Sequence, residues 1–185
     1  IIDKSIRVKW TVTSLVYSHI DVMLDKNTVY KTIPITEADN LAGEKIISGL
    51  QPSTSYIVKI YSEDGYKGKK TFKTVDSQVF EGPVVDLRDF SDEEAFSKIT
   101  QAFIDSLGTA YPEGFNLVLS GGTRYKLPTI NIPVSMNMVT GLSFKGKAIV
   151  AVNGNFGIKA ATNVGAVKIE KVFFSFRRFS CANKF

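Results

Sequence analysis

The chain has 185 residues, room for one or two domains of ordinary size. With 44% apolar and 11% aromatic residues it can bury a core without covalent staples, and its single cysteine, Cys181, excludes an internal disulfide and a cysteine-built zinc site. The formal charge of +5 is uneven: residues 1–80 carry net +2, residues 81–108 net −5 and residues 109–185 net +8. A basic C-terminal third suits anionic partners, although lysines that solvate strand faces and edges give the same pattern. No run approaches the roughly 18 apolar residues of a membrane-spanning helix. The opening IIDKSIRVKW lacks the basic-then-apolar layout of a signal peptide. A first residue of Ile rather than Met leaves open a trimmed export signal or a chosen start.

In chain order, residues 6–12 alternate apolar and polar, with Ile6, Val8, Trp10 and Val12 on one face. That period of two predicts a half-buried strand. The pattern returns at 19–24, 28–35, 45–47, 57–62 and 69–75, with a hairpin signal at Asp64-Gly65. About seven short strands with frequent turns predict a β-sandwich over residues 1–78. Leu50, Pro52 and Tyr56 are the informative residues of this segment. A Tyr just inside a strand after a Leu-x-Pro turn can send its hydroxyl back to that turn, the tyrosine corner of Greek-key sandwiches. The run Gly49 to Tyr56, followed by alternating Val58 and Ile60, resembles this corner in fibronectin type III domains, and Trp10 sits where that family keeps its core tryptophan. The resemblance implies a spacer or binding module. There is no Arg-Gly-Asp to point to integrin-type adhesion.

Residues 79–91 read as a linker that packs, because Val79, Phe80, Val84, Val85 and Leu87 are apolar around the Gly82-Pro83 breaker. A second domain is expected over 92–185. Ser91 to Leu107 is predicted as one helix. Ser91 and Glu94 make a capping box, and Phe96, Ile99, Phe103 and Leu107 form an apolar stripe that Gly108 ends. Asp92, Glu93 and Glu94 match the positive end of the helix dipole; adjacent carboxylates on a helix diverge, so no metal site is assigned.

Beyond Pro112, short β-rich runs at 115–120, 129–132, 136–141, 148–152, 156–160 and 166–176 are separated by Gly, Asn or Pro turns. Leu117-Val118-Leu119, Met138-Val139 and Val167-Lys168-Ile169 recur at intervals of roughly 20 to 30 residues, as the coils of a solenoid would. The helix would then cover the open end of the stack. A capping helix followed by NLVLSGGTRYKLP, TINIP and VSMNMVTG looks like the first coils of right-handed parallel β-helices of the pectate-lyase type. It is similar in particular to surface proteins of gut bacteria in which a fibronectin-like module precedes such a helix. The resemblance implies secretion or display on a bacterial surface, with lipid anchoring through an upstream segment as one route, and contact with polysaccharide. The sequence departs from that family in length: two or three coils fit, and FRRFSCANKF ends the chain with no evident cap. That predicts a truncated β-helix, a fragment, or a homodimer paired through the uncapped C-terminal end.

The catalytic equipment is thin. Glycoside hydrolysis needs two facing carboxylates, and after Asp105 only Glu113 and Glu170 remain. A lyase needs a base, and Arg124, Lys126, Arg177 and Arg178 qualify, but no Asp cluster accompanies them to hold Ca²⁺. The single histidine, His19, reads as a surface or edge residue. Ser120 to Arg124 is a Gly-rich turn without the ending of a phosphate loop. The candidate ligand-binding set is Tyr111, Arg124, Tyr125, Lys126, Arg177 and Arg178, since rings interleaved with cations hold sugars or single strands; no nucleic-acid motif accompanies it. The expectation is a non-catalytic module that associates with carbohydrate, needs no cofactor or metal, and takes an acidic polysaccharide as partner. The alternatives are a polysaccharide lyase-like enzyme or its remnant, and a structural or adhesive spacer.

Overall fold

The computed structural model describes residues 1–160 and 164–176, and the chain divides into two compact units, Ile1–Ser77 and Gln78–Phe185. The first unit has six strands: β1 (Ser5–Lys9), β2 (Tyr17–Met23), β3 (Val29–Pro34), β4 (Glu44–Ser48), β5 (Ser55–Ser62) and β6 (Gly65–Lys73). β1 pairs with β4, and β3-β2-β5-β6 form a second antiparallel sheet. Period-two alternation aims Ile6, Ile20, Val22, Ile47 and Val58 into one core. Trp10 follows β1 and is half-buried, its ring edge-on to Tyr17 at 5.6 Å.

Tyr56 is fully buried, and its hydroxyl accepts the Gln51 N–H at 2.9 Å. Thr74 Oγ1 donates to the Gln51 carbonyl at 2.6 Å, so both backbone groups of that turn residue are satisfied. Leu50 is buried beside it, and the Pro52 carbonyl accepts the Thr54 hydroxyl at 2.7 Å.

The strand reading missed α1 (Glu37–Ala42). Thr36 accepts from the Asp39 N–H while Asp39 reaches back to Thr36, and Gly43 closes the helix at φ +66°. A Cβ at Gly43 would stand 2.9 Å from the Trp10 carbonyl, so both the turn and the close approach require glycine. Burial alone would raise the Asp39 carboxyl, but hydrogen bonds from Lys45 and Thr36 outweigh it and hold it at about 2.

The second unit is a stack of parallel strands. β8 (Phe115–Leu119), β9 (Arg124–Leu127) and β10 (Ile130–Ile132) form one rung, and β11 (Met136–Thr140), β12 (Ala148–Val152) and β13 (Phe156–Ile158) the next. β14 (Val167–Glu170) and β15 (Val172–Phe176) begin a third. Each strand pairs in register with its counterpart one rung on, giving three parallel sheets of a β-helix-like fold. Inward residues stack in files, Leu117-Met138-Ile169 and Tyr125-Val150-Phe174 among them. The run 166–176, read as one strand, is two. Lys171 turns the corner at φ +54°, and its carbonyl accepts the Thr140 hydroxyl.

The single predicted helix is also two: α2 (Asp92–Lys98) and α3 (Gln101–Ala110). Ile99 is extended and fully buried, and Thr100 caps α3 by accepting the Phe103 N–H at 3.1 Å. This break re-phases the stripe, so Ile104 and Gly108 are buried while Phe96 is 42% exposed. The Ser91–Glu94 capping box opens α2. Gly108 does not end the helix; it lets α3 approach Pro133, whose Cγ would lie 2.6 Å from an added Cβ.

Every strand of the first rung is covered. β7 (Val84–Asp86) pairs parallel to β8, α2 packs on β9 and α3 on β10. On β10, the Gln101 side chain accepts the Asn131 N–H at 2.7 Å and donates to its carbonyl at 3.0 Å. That removes an open sheet edge.

Candidate functional site

The in-register stacking sorts the outward residues of β7-β8-β11-β14 into rows. One row runs Val84, Asn116, Asn137, Lys168, and the next runs Asp86, Val118, Val139, Glu170. Neighbouring members stand about 4.8 Å apart, the strand spacing. A groove of about 650 Å³ lies over Asn116, Asn137, Val139, Lys168 and Glu170 of these rows; residues 78–83 form a wall of it, and Glu113 and Lys171 also line it.

The Asn row is built rather than incidental. Asn116 Nδ2 donates to the carbonyls of Glu81 at 2.7 Å and Pro83 at 3.2 Å, tying the 78–83 wall to the stack. Asn137 Nδ2 donates to Asn116 Oδ1 at 3.0 Å. Asn137 Oδ1 is buried with no hydrogen-bond partner among the described residues. Lys168, next in the row, turns to Glu170 at 2.7 Å. At the wall's other end Gln78 donates to the Thr140 carbonyl at 3.2 Å and accepts the Leu142 N–H at 3.0 Å. Asp86 grips Arg88 through both carboxylate oxygens. Burial pushes that carboxyl up, but the bonds from Arg88 outweigh it and leave it below the usual range. The Asn116 amide is thus engaged within the protein, and the groove exposes Lys168, Lys171, Glu81 and Glu113, with Asn137 and Glu170 half-buried.

The residues nominated from sequence that are described take separate positions. Tyr125 faces inward: it is fully buried, its hydroxyl accepts the Ser120 N–H at 2.8 Å, and burial raises its phenol above the ordinary range. It cannot stack on a ligand, which corrects its assignment to the binding set. Arg124 and Lys126 flank it on the exposed face of β9, beside Ile149 and Ala151 of β12. Tyr111 caps α3, donates its N–H to the Leu107 carbonyl and packs against the Phe115 ring. Arg177 and Arg178 lie outside the described residues. The groove itself was missed, although its signal is in the strings FNLVL, MNMVT and VKIE: a polar residue at the second position of each apolar run.

No protein-family model matches the chain, and a search of curated proteins finds no match either. Among solved structures, one similar chain is the Yersinia enterocolitica family 28 exopolygalacturonase, at 16% identity and a TM-score of 0.35. The match covers 82% of this chain and 30% of that one, so the chain spans less than a third of that neighbour's length.

Proposed function

We propose that the second unit holds an acidic polysaccharide in the groove over β8-β11-β14, without processing it. In this reading the chain is a fibronectin type III-like sandwich over residues 1–78, a packed segment over 79–91 and the start of a right-handed β-helix over 92–185, acting outside the cell or on a bacterial surface. One observation carries the reading. The row Asn116-Asn137-Lys168 repeats polar groups once per rung along a groove of about 650 Å³. Asn116 is engaged by the 78–83 segment and by Asn137, so a polymer lying along the groove meets the half-buried Asn137 and the exposed Lys168 on successive rungs. Lys171 favours carboxylates on that polymer, and Lys168 does so in competition with Glu170. Glu170 is engaged by Lys168, which leaves Glu81 and Glu113 as the groove's other acids.

Affinity electrophoresis of the chain in gels containing polygalacturonate tests this. Retardation should fall in Lys168→Ala, whose side chain is 63% exposed and whose loss leaves the core intact. Equal mobility with and without polymer sinks the binding reading. Release of unsaturated uronate, read by its ultraviolet absorbance, would replace it with the lyase alternative.

A further inference from the structure

The outer face of the β3-β2-β5-β6 sheet carries a second ordered row, unrelated to the groove. Register places His19, Tyr61 and Tyr66 side by side across β2, β5 and β6. The His19 and Tyr61 rings stack at 4.6 Å and 4° between planes, and Tyr66 meets Tyr61 edge-on at 5.9 Å. Tyr66 is 53% exposed and stands at the solvent end of the row. A bulge between Ile60 and Tyr61 brings Tyr66 opposite Tyr61; the insertion re-aims the chain at this point.

The adjacent row of the same face holds Asp21, Lys59 and Lys69 in register. Lys59 and Lys69 lie directly opposite each other, a like-charge pairing that weakens a sheet. Lys9, Lys45 and Lys67 of this unit are tied to the carboxylates of Glu44, Asp39 and Asp64; Lys59 and Lys69, like Lys4, Lys26, Lys31, Lys70 and Lys73, have no ion pair among the described residues. Asp21, the neighbouring acid, accepts the Thr32 hydroxyl at 2.6 Å. An aromatic row beside two ammonium groups that face each other, with the single carboxylate of Asp21 in register beside Lys59, suits a ligand with apolar faces and negative charge.

We infer that this sheet face is a glycan-binding surface, taking a carboxylate-bearing sugar chain whose ring C–H face lies on Tyr66 and whose carboxylates meet Lys59 and Lys69. Single-stranded nucleic acid uses rings and cations too, but it needs successive open ring faces. Here the facing sides of His19 and Tyr61 are occupied by each other, which leaves the half-exposed Tyr66 as the outermost ring of the row. The inference shares its ligand class with the groove reading and stands on separate residues.

The test uses the full chain in gels containing polygalacturonate, with Tyr66→Ala, Tyr66→Phe, Lys69→Gln, and Lys26→Gln as an equal-charge control in the β2–β3 loop. Circular dichroism checks each fold. Tyr66→Ala should weaken binding about fivefold to tenfold, Lys69→Gln about threefold to fivefold, and Tyr66→Phe and Lys26→Gln about twofold or less. Retardation that Lys168→Ala reduces but Tyr66→Ala and Lys69→Gln leave unchanged overturns this inference and keeps the groove. Loss in the Tyr66 and Lys69 variants alone, with Lys168→Ala inert, keeps this surface and removes the groove. No retardation of the unaltered chain removes both. Tighter binding to oligo-dT than to polygalacturonate, lost in Tyr66→Ala, overturns the glycan assignment.

Discussion

Tyr56 and Tyr125 meet the same local need in two different folds. Each is fully buried, and each phenol accepts a backbone N–H five residues upstream, Gln51 at 2.9 Å and Ser120 at 2.8 Å. In each case a turn leaves an amide without a ladder partner, and the ring that fills the core also brings the acceptor. Tyr→Phe keeps the ring and removes the acceptor, so each variant leaves one N–H unsatisfied. Tyr56→Phe and Tyr125→Phe should each cost about 1–3 kcal/mol, measured as a drop in urea midpoint at constant slope. A cost near zero would mean that water reaches the amide. Only Tyr56 is legible in the sequence, because Leu50 and Pro52 announce its turn. Tyr125 sits between Arg124 and Lys126, and those charges disguise it. In a strand the two flanking cations mark the outward face, so the residue between them points inward.

Elements rather than residues decide where the helices end. The spacing of Phe96, Ile99, Phe103 and Leu107 suits one continuous helix, and the capping box at Ser91 starts it correctly. Thr100 is a second capping residue inside that window, and the core takes Ile99 in extended form in preference to a continuous stripe. No period count reveals this, because the break is imposed by two sheet faces that need separate covers: α2 on β9 and α3 on β10. Gly108 carries the same lesson. Read from sequence it is a stop signal; in the fold it is a contact point inside α3. Gly108→Ala would raise intrinsic helix propensity by about 1 kcal/mol. The added methyl meets Pro133 Cγ at 2.6 Å within a proline ring that cannot rotate away. The net result should be destabilisation by about 1–3 kcal/mol, seen as a lower thermal midpoint of the second unit. Stabilisation instead would show that the α3–β10 contact yields easily.

At the scale of the whole molecule, charge and aromatic surface are separate levers. The parallel stack was legible because its apolar runs recur; its polar row was not, because Asn116 and Asn137 look like interruptions until register aligns them. Residues 109–185 carry ten basic and two acidic side chains, and Lys126, Lys145, Lys147, Lys159, Lys168 and Lys171 are all exposed. Such a field draws any polyanion at low ionic strength, whatever the site. Screening separates the two contributions, since the Debye length shrinks from about 10 Å at 0.1 M salt to about 3 Å at 1 M. Retardation by polygalacturonate should therefore fall steeply over that range without vanishing. Lysine variants should converge on the unaltered chain at high salt, because the attraction they lack is screened in both. Tyr66→Ala should stay distinct, because contact between a sugar face and a ring is not screened. If retardation disappears entirely by 1 M salt and Tyr66→Ala becomes indistinguishable there, the aromatic row contributes nothing, and the association is the general attraction of a basic protein for an acidic polymer.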